Sequence, residues 1–144
     1  MSTPFATQLE RLETRHGFLR LTADEVDAFA AAGDSLLLLT DEPQTCPEAW
    51  DMALVLPEAL KAWPGRFRAG VADPAASREI AARFGAGQLP AMLFQRDGAW
   101  VGKLEGMFEW DRLVAALGAM LAAPTARRPG IGIPVRAATT SSCH

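Results

Sequence analysis

The sequence predicts an α/β domain with a central mixed sheet of four to five strands and helices on both faces. Three observations carry this. The run Ser35-Leu36-Leu37-Leu38-Leu39-Thr40 lies between Gly33-Asp34 and Asp41-Glu42-Pro43; it is too short for a buried helix and suits a central strand covered on both sides. Two β-α-β units follow one another, and their crossovers place helices over the sheet. Asp97-Gly98 separates two apolar runs, the strongest short-range signal of an antiparallel hairpin.

Taken in order, residues 4–15 place Phe5, Leu9 and Leu12 on one helical face, and Gly17 stops the run. A short strand is expected at 18–21. Thr22 and Glu25 form a capping-box pair, and Val26 and Phe29 give the stripe of a short helix ending at Gly33. After the central strand, Trp50, Ala53/Leu54, Pro57 and Leu60 recur at helical spacing in a helix starting at about 47 or 51 and reaching Trp63. Pro57 lacks a backbone donor and should kink it. A second buried strand at 67–72 leads to Asp73 as N-cap and Pro74 as first helical residue, and Gly85 ends that helix. Strands at 91–95 and 100–104 make the hairpin. A closing helix over 109–121 buries Leu113, Val114, Leu117, Met120 and Leu121. The division is a domain over 1–123 and a flexible basic tail over 124–144, rich in Pro, Gly, Ser, Thr and Arg.

With 144 residues and 49% hydrophobic content, the chain suits one domain. Its formal charge of −3 is uneven, because residues 124–144 hold three arginines and no acid. An acidic body with two lysines disfavours nucleic acid and favours basic peptides. No apolar run approaches the roughly 18–20 residues of a membrane-spanning helix, and residues 1–10 show no signal-peptide pattern, so a cytoplasmic protein without membrane insertion is expected. Cys46 and Cys143 form no C-x-x-C and accompany only His16 and His144, which suggests neither a zinc site nor a disulfide framework.

The element order, with a proline-containing helix after the central strand and an x-Pro before the hairpin, resembles the thioredoxin fold. Residues 35–40 look like the strand entering the thioredoxin active-site turn, and 51–63 like the active-site helix. Phe84-Gly85-Ala86-Gly87-Gln88-Leu89-Pro90-Ala91-Met92-Leu93-Phe94 looks like the segment carrying the cis-proline. Where thioredoxins place C-x-x-C, this chain reads Pro43-Gln44-Thr45-Cys46-Pro47-Glu48-Ala49-Trp50. Thioredoxin-type exchange needs an attacking thiolate and a resolving thiol, and only one thiol is present there. Among thioredoxin-like proteins without the pair, the chain resembles the HyaE/HoxO/HupG family encoded with uptake NiFe-hydrogenases. The resemblance rests on Thr45/Cys46-Pro47-Glu48, Val71-Ala72-Asp73, Arg83-Phe84-Gly85-Ala86, Leu89-Pro90-Ala91 and the 106–110 entry to the last helix, and covers about residues 18–122. It implies a dedicated chaperone of the hydrogenase small subunit, binding the precursor with its twin-arginine signal peptide before export, in the company of other hydrogenase accessory proteins. It brings no catalytic residue, cofactor or metal.

Several residues are candidates for partner contact. Cys46, just ahead of Pro47 at a helix start, is placed where the helix dipole favours thiolate, which would allow a monothiol redox enzyme. The neighbouring acids Asp41, Glu42, Glu48 and Asp51 oppose this, and a structural cysteine is the alternative. Pro90 is expected to be cis, leaving the Leu89 backbone exposed beside 46–50 for an extended peptide to pair with; the alternative is a proline that only shapes its turn. The same four acids would rim the loop and accept arginine guanidinium groups, or form an ordinary solvated loop. Trp63, Trp100 and Trp110 read as core, whereas Trp50, in a polar stretch ahead of the apolar stripe, reads as an interface anchor. Arg127-Arg128 is too short for a nucleic-acid patch, and Cys143-His144 is too few ligands for a metal site. An adaptor for an unrelated partner is the remaining alternative.

Overall fold

In a computed structural model, residues 4–126 are described; the 127–144 part of the expected tail lies outside them. The elements are α1 (Pro4–His16), β1 (Leu19–Arg20), a 3-10 turn (Ala23–Glu25) leading into α2 (Val26–Ala30), β2 (Asp34–Leu39), α3 (Pro47–Leu60), β3 (Arg68–Ala72), α4 (Pro74–Phe84), β4 (Ala91–Arg96), β5 (Ala99–Glu105) and α5 (Trp110–Ala122). The sheet order is β1-β3-β2-β4-β5. β2 lies at the centre, parallel to β3 and antiparallel to β4, while β5 pairs antiparallel with β4. The expected mixed sheet has five strands, and no helix among the described residues is long and apolar enough to cross a membrane.

Side-chain alternation along β2 divides the core. Leu36 and Leu38 join Phe5, Leu9 and Leu12 of α1, Met52 and Leu56 of α3, and Leu113 and Leu117 of α5 on one face. Leu37 and Leu39 join Val26 and Phe29 of α2 and Ile80 and Phe84 of α4 on the other. The strand is apolar throughout because both of its faces are covered. In α5 only Leu113 and Leu117 are fully buried; Val114, Met120 and Leu121 are half-buried.

Local chemistry sets the element ends. Glu25 accepts the Thr22 backbone N–H at 2.8 Å and its hydroxyl at 3.0 Å. Those two bonds, the backbone one first, hold the Glu25 carboxyl below its ordinary range. Asp73 Oδ1 accepts the Ala76 N–H at 2.9 Å, and Pro74 opens α4 where a missing donor is harmless. Asp97 and Gly98 take positive φ angles of 51° and 82° in a two-residue turn, the backbone such hairpins need. α5 has no basic residue in its last turn. Arg96 of β4 supplies one, binding Asp34 at 2.8 Å and donating to the carbonyls of Met120, Leu121 and Ala123. Trp63 donates to the Val114 carbonyl at 3.1 Å, and its ring lies where a Cβ on Gly118 would approach within 2.5 Å. A side chain at 118 would drive helix and indole apart.

Pro57 lies inside α3 without ending it. Its missing N–H leaves the carbonyl four residues earlier, that of Ala53, without its helical donor. Gln8 of α1, only 5% exposed, donates its Nε2 to that carbonyl at 3.3 Å. A polar residue on the apolar face of α1 thus completes the hydrogen bonding of α3 and fastens the two helices together. Gln8→Leu should cost about 1–2 kcal/mol by leaving a buried carbonyl unsatisfied. In a Pro57→Ala background, where residue 57 regains its donor, the penalty should shrink; denaturant unfolding of all four proteins checks this, and equal penalties in both backgrounds would refute the link.

Candidate functional site

Strand register brings the site together. β1, β2 and β3 are parallel, so Arg20, Leu39 and Ala72 end at one edge of the domain. Leu39 pairs with Ala91, and Ala91 with Glu105. The segments after β2 (41–46), after β3 (Asp73 and Pro74), before β4 (Leu89 and Pro90) and after β5 (106–109) therefore converge at that end, where open α/β sheets bind their ligands. The Leu89–Pro90 bond is cis, as the sequence predicts. The Pro90 carbonyl accepts the Gly106 N–H at 2.7 Å, anchoring the last segment to the proline loop.

A cavity here has a volume of about 540 Å³. Its walls are apolar, from Phe5 and Leu9 of α1, Pro43 and Trp50, and its polar lining comes from Arg20, Glu42 and Asp73. Phe5 and Trp50 meet with ring centroids 6.0 Å apart. Arg20 is paired with Glu13 at 2.9 Å, and Asp73 is occupied in capping α4.

The candidate residues do not all face this cavity. Trp50 and Glu42 line it. Asp41 does not: its side chain is 9% exposed, 3.2 Å from Arg78 of α4, and Oδ1 accepts the Glu42 N–H at 2.8 Å. The alternation of β2 explains the split, because Asp41 continues the row of Leu37 and Leu39 toward α4 while Glu42 turns toward α1. The expected rim of four acids is thus corrected. Asp41 is withdrawn on the far side of the loop, where it lines a second hollow of about 290 Å³ with Arg78 and Leu89. Glu48 is half-buried on the first turn of α3, while Asp51 and Pro47 are exposed.

Leu89 departs from expectation as well. It is 8% exposed, and its carbonyl oxygen lies 3.5 Å from Cys46 Sγ, so its backbone is turned onto the cysteine rather than laid open beside it. Cys46 is fully buried and its sulfur is held in a disulfide. The sequence suggests no disulfide framework, and a bonded sulfur at this turn departs from that expectation. The chain's other cysteine, Cys143, lies outside the described residues, as do Arg127, Arg128 and His144. No metal-holding group of three or more His, Cys, Asp or Glu occurs among the described residues.

Two contributors escaped the sequence reading. Met107 and Trp110 are 42% and 49% exposed beside the proline loop, while Arg112 covers Phe108 at 5.8 Å. Trp110 stands just ahead of an apolar helical stripe, as Trp50 does, and that shared position is the signal that marks it. The wall from α1 has no such signal, since Phe5 and Leu9 are ordinary members of an amphipathic face.

These features define a thioredoxin-like domain in which the catalytic turn and its cis-proline survive as a shape without the C-x-x-C pair. The sequence matches the family model described as Hydrogenase-1 expression protein HyaE over residues 8–113. It is also 41% identical, over 140 residues, to the hydrogenase expression/formation protein HoxO of Cupriavidus necator, an alignment covering 94% of this chain and 87% of that one. The chain belongs to the HyaE family.

The Asp41–Arg78 contact is structural in this geometry. Arg78→Ala should lower stability by about 1 kcal/mol, a value discounted for the exposure of the arginine. Thermal unfolding checks it; an unchanged midpoint would show that Asp41 does not need its partner.

Proposed function

We propose that this protein is a non-catalytic chaperone of NiFe-hydrogenase maturation, which binds the small-subunit precursor through its twin-arginine signal peptide in the cytoplasm. The observation that carries this reading is the apolar cavity at the vacated active-site end, lined by Phe5, Leu9, Pro43 and Trp50 with Glu42 on its rim. A signal peptide joins a pair of arginines to an apolar stretch. The stretch suits the cavity walls, and carboxylates are the natural acceptors for guanidinium groups. Family membership supports the hydrogenase connection, since the related HoxO is described as a hydrogenase expression/formation protein.

The roles of the candidates follow from their positions. Trp50 contributes its ring to the cavity, and Trp110 offers a second aromatic contact from the far side of the proline loop. Glu42 and Asp51 supply negative charge at the surface, which speeds encounter with a basic segment and makes it salt-sensitive. Cys46, Pro47, Leu89 and Pro90 act through the shape of the turn and the proline loop, where Cys46 and Leu89 are buried against each other. Glu48 adds charge at the start of α3, and Asp41 acts indirectly by fixing the loop against α4.

Co-purification with the hydrogenase small subunit, with and without its signal peptide, tests the reading; recovery should require the signal peptide, and equal recovery of both forms would overturn it. Titration calorimetry sharpens the test. Glu42→Gln and Asp51→Asn should each weaken binding about two- to fivefold at low salt and flatten its salt dependence. Trp50→Ala should weaken it more than either. Unchanged affinity in both charge variants would remove the electrostatic part.

A further inference from the structure

The end of the sheet opposite the site carries a second surface. There α1 finishes at His16, α3 finishes at Leu60 and β3 begins at Arg68. Between them lie two adjoining hollows of about 400 and 320 Å³, which share His16, Phe18 and Leu60. Together they make one groove with apolar walls. Leu19 is 43% exposed there, and the half-buried rings of Trp63 and Phe67 line the same hollow. Leu19 opens β1, a two-residue strand at the edge of the sheet, so no other strand among the described residues covers it.

The charges bordering this groove are cations. Arg15, His16, Lys61 and Arg68 line it, Arg66 lies two residues before Arg68, and no acid among the described residues is in the lining. Elsewhere on the domain Arg20, Arg78, Arg83, Arg96 and Lys103 are each engaged in an ion pair. Arg15, Arg66 and Arg68 are exposed and form none among the described residues. Lys61 binds Glu58 at 2.9 Å; that bond, ahead of the charges of Lys61 and His16, holds the Glu58 carboxyl below its ordinary range. Helix ends account for part of the pattern. The last carbonyls of α1 and α3 each carry about half a negative charge, which Arg15, His16 and Lys61 complement. Arg66 and Arg68 lie beyond both helices and have no such role. The Arg68 guanidinium is instead laid over the Phe29 ring, 5.3 Å from its centroid, which fixes a charge without an acid partner beside the groove.

We propose that this groove is a second docking surface, which takes a short acidic segment of a partner protein: an apolar side chain enters between Leu19, Trp63 and Phe67, and flanking carboxylates meet Arg15, Arg66 and Arg68. Charge complementarity decides the class of occupant. Guanidinium groups accept carboxylates in bidentate pairs, and burial of one apolar side chain adds affinity that charge alone would not give. The rest of the domain is acidic, since the chain's formal charge is −3 even with three arginines after residue 123. An acidic body around a short basic groove opposes a long phosphate polymer or an anionic bilayer and admits a short segment. The groove lies at the far end of the sheet from the cavity, so this inference stands apart from the signal-peptide reading. With acids exposed at one end and cations at the other, the domain can hold two ligands of opposite charge at once.

The probe is the acetylated and amidated peptide Asp-Glu-Leu-Phe-Glu-Asp, titrated into the isotope-labelled full chain and followed by amide chemical shifts. Shifts should centre on residues 15–19 and 60–69, and the same peptide with Asn and Gln in place of its acids should bind about tenfold more weakly. Arg66→Ala should weaken the acidic peptide about two- to fivefold, and Arg66→Glu combined with Arg68→Glu about tenfold. Leu19→Ala should weaken both peptides alike, about two- to threefold. Arg66 is exposed and off the helices and strands, so Arg66→Ala decides the matter even where the double variant does not fold. Shifts centred on 41–50, equal binding of the acidic and neutral peptides, or unchanged affinity in Arg66→Ala would overturn the proposal. So would the absence of peptide binding; co-sedimentation with phosphatidylglycerol vesicles in its place would assign the cations to a lipid surface.

Discussion

The hydrogen bond from Gln8 to the Ala53 carbonyl is the constraint on which the site depends. Pro57 withholds the donor that α3 would supply for itself, and in a dry helix interface water cannot replace it. Only a donor from another element will do, and Gln8 brings α1 with it. Once α1 is docked, Phe5 reaches Trp50 and Leu9 closes the neighbouring wall. A defect in one helix is thereby converted into the position of another, and the apolar cavity is the space left between them.

The charges follow the same logic of separation. Asp34 is taken by Arg96, which also satisfies the carbonyls that close α5. Asp41 is taken by Arg78, and Glu13 holds Arg20 at the cavity lining. Most of these pairs are at least partly exposed and contribute little individually; their effect is to set which acids still face solvent. Glu42 and Asp51 keep that exposure because strand alternation and helix phase turn them away from the bases of α4.

Much of the fold was legible in the sequence because its signals are local. The capping residues Thr22/Glu25 and Asp73, the turn Asp97-Gly98 and the uninterrupted leucines of β2 each act within a few positions, and the structure places them as the periodicity requires. The site was less legible because its determinants are distant in sequence. Asp41 and Arg78 are 37 residues apart, Gln8 and Ala53 are 45 apart, and neither pairing leaves a trace in spacing. The four neighbouring acids read as one rim, but residues adjacent on an extended chain point to opposite faces, so proximity in sequence ensured their separation. Trp110, expected in the core, is the first residue of α5, and its place ahead of the stripe leaves it outside the packed face.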